Sequence, residues 1–435
     1  MENVVSLAKR RGFIFAGSDI YGGLANSWDY GPLGVELKNN IKQEWWRRFV
    51  QQRADVVGID AALLMSPKVW EASGHVKNFS DPLVECKKCH ARVREDQLAD
   101  RTCPSCKGKD FTPARQFNMM LKTYLGPSEE SANIVYFRPE TAQAMFVNFK
   151  NILDTNRPKL PFGIAQQGKA FRNEITPSNF IFRMREFEQM EIEYFVKESE
   201  WEKYFEHWLK EMKQWLKDLG VSDKKLHYVD IPDGERAHYS KRTVDIEYEY
   251  PFGQKELYGL AYRGDFDLKN HMEASGQDLR YTDETTKEKF LPHVIEPTWG
   301  VDRSLLVAML EAYHQEEAPT AEEGENATRV VMKFPAWLAP VKVAVLPLSK
   351  KEELSKVAKT IFEKLSKQFV CEYDETQSIG KRYRRQDEIG TPLALTVDFE
   401  SLKDKKVTLR DRDTMKQERV KIDEVAEEIS RRLHV

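Results

Sequence analysis

Four cysteines stand in two tight pairs, Cys86-Lys87-Lys88-Cys89 and Cys103-Pro104-Ser105-Cys106, separated by thirteen residues. Thiolates at this spacing commonly converge on one tetrahedral zinc ion, and four sulfur ligands leave no open position for chemistry, so the predicted role is structural. Two disulfides or unrelated thiols are the alternative; in a chain expected in the cytosol, with only one other cysteine, Cys371, metal is favoured. CKKCH also matches a c-type haem attachment pattern, but the second pair explains the first better. Gly163 to Ala170 reads GIAQQGKA, close to a phosphate-binding GxxxxGK[ST] loop. Ala170 lacks the required hydroxyl and Phe-Arg-Asn-Glu-Ile-Thr-Pro follows where a helix should begin, so this run is a decoy. Neither GxGxxG nor GxSxG occurs. The informative polar residues form Phe171-Arg172-Asn173-Glu174, then a loop ITPSNFI, then Phe182-Arg183-Met184-Arg185-Glu186-Phe187, with Gly300-Val301-Asp302-Arg303 far downstream.

These groups need elements to hold them. Val35, Leu37, Ile41, Trp45 and Phe49 recur at helical spacing after Gly31-Pro32, which predicts a long amphipathic helix. The apolar runs that follow end at Pro67, a residue suited to a strand end or edge. A second helix carries Trp201, Tyr204, Phe205, Trp208, Met212, Trp215, Leu216 and Leu219, stopped at Gly220, and its tryptophans read as core. Residues 134 to 196 hold strand-like runs without a strand-helix-strand rhythm, which argues for an antiparallel sheet. In TVDIEYEY, Val244, Ile246, Tyr248 and Tyr250 alternate as in a half-buried strand. HVIEPTWGVDR adds a further segment before the apolar helix SLLVAMLEAYH. The acidic stretch from Gln315 to Thr328 reads as a surface loop or linker. Beyond Pro335 short apolar runs alternate with helical patterns, predicting an α/β unit of about 100 residues.

The chain has 435 residues, more than one core usually serves. Apolar residues make up 41% and charged residues 31%, with mean hydropathy −0.61, which excludes a predominantly disordered or membrane-embedded chain. No run is long enough to span a bilayer, and MENVVSLAKRRGF lacks a signal-peptide h-region, so the cytoplasm is the expected compartment. The net charge of −3 gives no global nucleic-acid signature. From Pro335 to Val435, however, 21 Lys and Arg face 18 Asp and Glu, and a polyanion could dock on this mildly basic part.

FRNE followed by RxxxF resembles motif 2 of the class II aminoacyl-tRNA synthetases, GVDR opening a helix resembles motif 3, and the long helix leading to Pro67 resembles motif 1. WDYGPLGVELKNNIK, WEASGH, RPETAQ, REFEQMEIE, YGLAYRGDFDL and VIEPTWGVDR together resemble the dimeric type of glycyl-tRNA synthetase. IGKRYRRQDEIGTPLALTVD is similar to the anticodon-binding domain shared by the glycyl, histidyl, prolyl and threonyl enzymes. The resemblance implies an α+β chain. A class II catalytic domain would span 1–334, with an antiparallel-sheet core and a small zinc-ribbon-like insertion at about 84–112, and an α/β anticodon-binding domain would span 335–435.

The implied reaction is ATP-dependent activation of glycine to the adenylate and transfer to the 3' end of tRNA(Gly). No enzyme nucleophile is needed, so positioning and charge stabilisation dominate. By analogy, Arg172 grips the α-phosphate and the glycine carboxylate, Glu174 accepts from the adenine amino group, Phe187 stacks on the base, Arg183 holds the outer phosphates and Arg303 clamps the γ-phosphate. Asn173, Phe182, Leu257 and Gly300 complete the implied ATP site, and Glu256 is a candidate contact to ATP or its Mg²⁺. The glycine site implied by the resemblance comprises Glu140, Glu191 and Glu296 facing the ammonium group, with Arg94, Phe187, Glu188, Gln189, Pro297 and Thr298. Thr298 stands where the family often has Ser. A solvated strand face is the alternative for each glutamate. Lys381, Arg382, Arg384 and Arg385 beside Tyr383 are read as a loop on which single-stranded bases could stack, or else as a solvated face. A two-fold homodimer around the first long helix is implied. Two other readings remain: a catalytically silent nucleic-acid-binding or polymerase-accessory subunit, against which the two phosphate-clamping arginines speak, and a synthetase for another amino acid, against which the glutamate-rich segments speak.

Overall fold

The computed structural model describes residues 1–127, 134–237, 239–319 and 326–433. Pro32, whose fixed φ suits a first helical position, opens helix α1 (Pro32–Trp46), which widens into a π turn over Arg47–Gln51. Its buried stripe is Gly34, Leu37, Lys38, Ile41 and Trp45, while Val35 faces outward. Strand β1 (Val56–Ile59) follows. Pro67 does not close a strand: it opens the short helix Pro67–Ala72, where its missing N–H would be unpaired in any case.

The remaining elements that frame the site are β2 (Phe162–Phe171), β3 (Glu186–Val196), α2 (Trp201–Asp218), β4 (Leu226–Asp230), β5 (Arg242–Tyr250), β6 (Gly253–Gly264), α3 (Phe266–Ser275), β7 (His293–Gly300) and α4 (Val301–Ala312). The seven strands form one sheet in the order β4-β5-β6-β7-β3-β2-β1. Each pairing is antiparallel except β1 with β2. Ile134–Tyr136 is not part of this sheet; it pairs with Lys122–Tyr124 in a separate ribbon.

Because successive strand side chains point to opposite faces, one face of the sheet is apolar and the other polar. Met190, Ile192 and Tyr194 of β3, Ile295 and Trp299 of β7, and Val244, Ile246, Tyr248 and Tyr250 of β5 share a core with Trp45, Trp208 and Trp215. The intervening Gln189, Glu191 and Glu193, then Glu296 and Thr298, and Thr243 and Asp245 therefore fall on the other face. Near-complete burial of a Trp or Tyr on the apolar side contributes a few kcal/mol each, about 1.5–3 for a large side chain. This anchors the strands that carry the polar row.

GIAQQGKA is mid-strand in β2, as its failure as a phosphate loop requires. Its second glycine serves packing: a Cβ on Gly168 would lie 2.2 Å from Nη2 of Arg138. Arg138 needs that approach to donate to the Lys169 and Ala61 carbonyls at 2.7 and 3.1 Å.

The acidic stretch after α4 is not a plain linker. Tyr313–Pro319 and Asn326–Met332 pair as two antiparallel arms, and residues 320–325 lie outside the described residues. Alternation turns Ala318 and Val331 inward, while Glu316 is held by Lys333 and Arg329.

Further on, β8 (Val343–Pro347), α5 (Glu352–Leu365), β9 (Cys371–Tyr373), α6 (Ile379–Ile389), β10 (Leu393–Val397), β11 (Lys406–Asp411), β12 (Gln417–Lys421) and α7 (Val425–Leu433) build a second sheet, ordered β9-β8-β10-β11-β12. Among the described residues its core, including Val343, Leu354, Ile361, Leu395 and Ile429, draws on this part of the chain alone. The basic run expected as a loop lies on helix α6. Arg382 is 1% exposed and donates to the Pro347, Leu348 and Asp374 carbonyls, Arg385 pairs with Asp374, and Tyr383 shares a 2.6 Å hydrogen bond with Thr396. These side chains hold α6 to the sheet, and Lys381 of that run remains exposed.

Candidate active site

The polar face of the seven-stranded sheet opens into a cavity of about 450 Å³ lined from β3, β5, β6, β7 and the start of α4. Among the expected residues, Glu140, Arg172, Glu174, Phe182, Arg183, Phe187, Glu188, Gln189, Glu191, Glu256, Leu257, Glu296, Thr298, Gly300 and Arg303 border it. Three do not. Pro297 sits on the opposite face of β7 from Glu296 and Thr298, because the strand alternates. Asn173 is absent from the lining; its backbone N–H is spent on the Met119 carbonyl. Arg94 is drawn to Asp81 and Asp96, at 2.7 and 2.6 Å.

One end of the cavity is cationic and aromatic. Arg172 donates to the Pro139 carbonyl at 3.1 Å and lies 5.3 Å from the Phe187 ring centroid. Arg303, in the first turn of α4, lies 4.5 Å from the Phe182 ring and is steadied by the Glu256 carbonyl at 3.0 Å. An Oε atom of Glu174 is buried without a hydrogen-bond partner among the described residues, an acceptor open to a donor. Asp245, exposed to the cavity by the alternation of β5, was not singled out from sequence. Burial, with Glu256 and Glu247 nearby, pushes its carboxyl up to about 7.

The other end is acidic and buried. Glu191 accepts from the hydroxyls of Thr141 and Thr298, the latter at 2.9 Å, and Thr298 also reaches Glu296 at 3.3 Å. Arg263 of β6 bonds Glu296 and grips Asp267 of α3 with two hydrogen bonds, at 2.7 and 2.8 Å. Gln143 joins Asp267 to Glu140 at 2.9 and 3.0 Å, and Nε2 of His75 lies 3.4 Å from Glu140. Nδ1 of His75 meets Ser73 at 2.8 Å. Burial alone would raise the Glu140 carboxyl, but His75, then Arg263 and Gln143, outweigh it and hold it well below its ordinary range. Burial drives Glu296 the other way, up to about 8, against the pull of Arg263 and with Glu191 and Glu140 adding to the rise.

Glu188 borders the cavity, but its carboxylate is taken by Lys38 at 2.8 Å and by Lys42. Asp302 explains why. It accepts from the Glu188 backbone at 2.7 Å, from Lys38 at 3.4 Å and from the Tyr30 hydroxyl, tying α4, β3 and α1 together. Arg263, Asp267, His75 and Glu193 are further members of the acidic end that sequence reasoning left without roles. YGLAYRGDFDL contains Arg263 and Asp267 four residues apart, but nothing local showed that β7 would bring Glu296 to them.

Away from the cavity, the sulfurs of Cys86 and Cys106, and of Cys89 and Cys103, are 3.6 Å apart, and all four lie within 4.8 Å of one another. A disulfide needs about 2.05 Å. Four Zn–S bonds of ~2.3 Å in a tetrahedron give sulfur separations of about 3.8 Å, so the quartet fits zinc. It caps a three-stranded sheet of Ser80–Glu85, Arg92–Arg94 and Arg115–Asn118.

Residues 124–313 match the tRNA synthetase class II core domain (G, H, P, S and T), and residues 342–432 match an anticodon binding domain. A glycine–tRNA ligase of Geobacillus thermodenitrificans is 54% identical over 453 aligned positions, covering 98% of this chain and 96% of that protein. Those of Acetivibrio thermocellus and Caldanaerobacter subterraneus are 53% and 52% identical, covering 98% and 100% of this chain and 96% and 98% of their own length.

Proposed function

The chain belongs to the glycine–tRNA ligases, and on that premise we infer that glycine and ATP meet in the cavity of the seven-stranded sheet. It is a class II synthetase that attaches glycine to tRNA, with ATP and Mg²⁺ as the energy source. A catalytically silent subunit is not favoured by relatives that resemble it along the whole chain.

The observation that carries the site assignment is its polarity: guanidinium groups and aromatic rings at one end, buried carboxylates at the other. Glycine's carboxylate attacks the α-phosphate, forming a new P–O bond as pyrophosphate leaves, and the adenylate then passes glycine to a hydroxyl at the 3' end of tRNA. Arg172 faces the developing negative charge on the α-phosphate. Arg183 and Arg303 hold the outer phosphates, the free oxygen of Glu174 accepts from the adenine amino group, and Phe187 backs the base. Glu256, beside Asp245, is placed to contact the Mg²⁺ that ATP brings. Glu140, Glu191 and Glu296 receive the ammonium group, and Thr298 orients two of these carboxylates. Arg94, Asn173 and Pro297 take no direct part in this reading.

Zinc on Cys86, Cys89, Cys103 and Cys106 would cross-link the small sheet, a structural service only. Residues 1–334 act as the catalytic domain and 335–435 as the anticodon reader, in the cytoplasm. Two copies associate about a two-fold axis near α1; Val35 on its outer side and the exposed Leu63 and Leu64 ahead of Pro67 are apolar surface that a second copy would cover.

The test is amino-acid-dependent exchange of labelled pyrophosphate into ATP, with glycine, alanine, serine, proline, threonine and histidine in parallel. Exchange with glycine alone is the expected result; exchange with another amino acid would discard the pocket assignment.

A further inference from the structure

The acidic end of the cavity carries more carboxyl groups than its cations can match. Carboxyl oxygens of Glu191, Glu193 and Glu296 lie within 4.8 Å of one another, and all three side chains are buried. Arg263 of β6 is the guanidinium bonded to the cluster, and it is already committed to Asp267 of α3 by two hydrogen bonds while also reaching Glu296; Arg138 lies within electrostatic reach of Glu191 but donates to the Lys169 and Ala61 carbonyls. Thr141 and Thr298 donate hydroxyls to Glu191 but bring no charge. His75 stands against Glu140, on the far side of the group. Glu193 is the odd member: it is wholly buried, does not border the cavity, and among the described residues neither of its carboxyl oxygens meets a donor. Carboxylates crowded this closely away from water do not all ionise.

We propose that protons on the Glu191, Glu193 and Glu296 cluster keep the empty pocket near neutrality, and that the ammonium group of glycine replaces one of them, so that binding expels a proton to solvent. The inference rests on the reading of this cavity as the glycine site. The balance is simple. The ammonium brings one positive charge, one proton leaves, and a carboxylic acid of the cluster becomes a carboxylate facing the substrate. Glu193 does not touch glycine; it is a positioning residue whose protonation follows that of its neighbours.

The remaining groups around the cluster agree with this. Burial and then the Glu296 charge push Glu193 well above the usual carboxyl range, burial and then Glu140 raise Glu191, and Glu296 rises to about 8. Glu140 is shifted the opposite way and is already ionised. His271 of α3 is pushed by burial toward its neutral form, and Tyr239, 3.7 Å from the Arg263 guanidinium, is kept protonated by burial, so neither supplies a countercharge. Glycine affinity therefore rises with pH, by up to about tenfold per unit in the acidic range, and flattens above about 8.

The experiment is calorimetric titration of glycine into the whole protein at neutral pH, in phosphate and in Tris, whose heats of protonation differ. The expected difference between the two heats corresponds to release of about one proton per glycine, shrinking in alkaline buffer. Infrared difference spectra should show the carboxylic-acid carbonyl band disappearing on glycine addition. Glu193→Gln keeps the side-chain shape without the acid, and in it the proton release should fall by half or more while glycine still binds. Equal heats in both buffers with glycine bound would overturn the proposal and leave the pocket reading standing. Absence of glycine binding in a protein that binds ATP would overturn both. Unchanged release in folded Glu193→Gln would overturn the three-carboxyl cluster as the proton's source, and if that variant does not fold, persistence of the infrared band in the unaltered protein overturns the proposal.

Discussion

Arg172 offers the sharpest test among single residues. It borders the cavity just after β2, and on the proposed reading its loss removes a fixed donor to the transition-state phosphate, worth about 3–4 kcal/mol. Arg172→Ala is expected to lower pyrophosphate exchange by about 10²- to 10³-fold with unchanged circular dichroism; near-normal exchange would sink the role. Thr298 tests the other end. Its hydroxyl carries one proton, shared between Glu191 at 2.9 Å and Glu296 at 3.3 Å, so Thr298→Val leaves a buried acceptor short of a donor, at about 1–3 kcal/mol. The glycine KM should rise by about tenfold or more, while Thr298→Ser, which keeps the hydroxyl, stays near the parent value. A loss in Thr298→Ser with Thr298→Val near the parent value would show that the methyl group, not the hydrogen bond, matters.

At the scale of elements, close approach dominates. Gly168 lies in the middle of β2, and any side chain there meets Arg138. Gly168→Ala should lower stability by about 1–3 kcal/mol through this overpacking, read as a lower thermal midpoint with no change in the strand content. The cysteine unit makes a separate prediction. If zinc closes it, metal analysis finds one zinc per chain, and Cys103→Ser or chelation raises proteolysis and hydrogen exchange within residues 80–118 while the seven-stranded sheet stays protected. Uniform loosening of the whole chain would contradict a local structural role.

For the whole molecule, a buried anion helps to hold the junction between the two sheets, beside the pairs of Arg10 and Arg11 with Glu388. Asp387 of α6 is 1% exposed and accepts from Arg329 of the hairpin at 2.8 Å and from Arg410 of β11 at 2.9 Å. Removing its charge would leave buried Arg410 without its carboxylate and Arg329 with Glu316 alone, and breaking such a pair typically destabilises by about 3–5 kcal/mol. Asp387→Asn is expected to separate thermal unfolding into two transitions and to reduce tRNA charging far more than glycine-dependent pyrophosphate exchange. Equal losses in both assays would mean that the junction supports the catalytic sheet itself. Light scattering of the intact chain settles whether two copies associate, and charged substitutions at Leu63 and Leu64 should dissociate them if the apolar surface near α1 is the contact.

Much was legible in the residues themselves because the relevant signals are local. Alternation along β3, β5 and β7 sets which side chains share a face, the cysteine spacing defines a four-thiolate cluster, and the helical repeat in Trp208, Met212 and Trp215 marks α2 as core. What remained hidden depends on which elements meet. Glu188 reads like Glu191, yet Lys38 and Lys42 of α1 claim it, and Pro297 is turned away only because β7 presents Glu296 and Thr298 inward. Arg382 looks like a surface base and is instead buried as a donor to three backbone carbonyls. The charge imbalance around Glu193 likewise exists only once β3, β6, β7 and α3 are assembled. Residue type and period are written in short stretches of chain, whereas a charge acquires its partners, its burial and so its protonation from segments far away in sequence, and only the tertiary structure decides those.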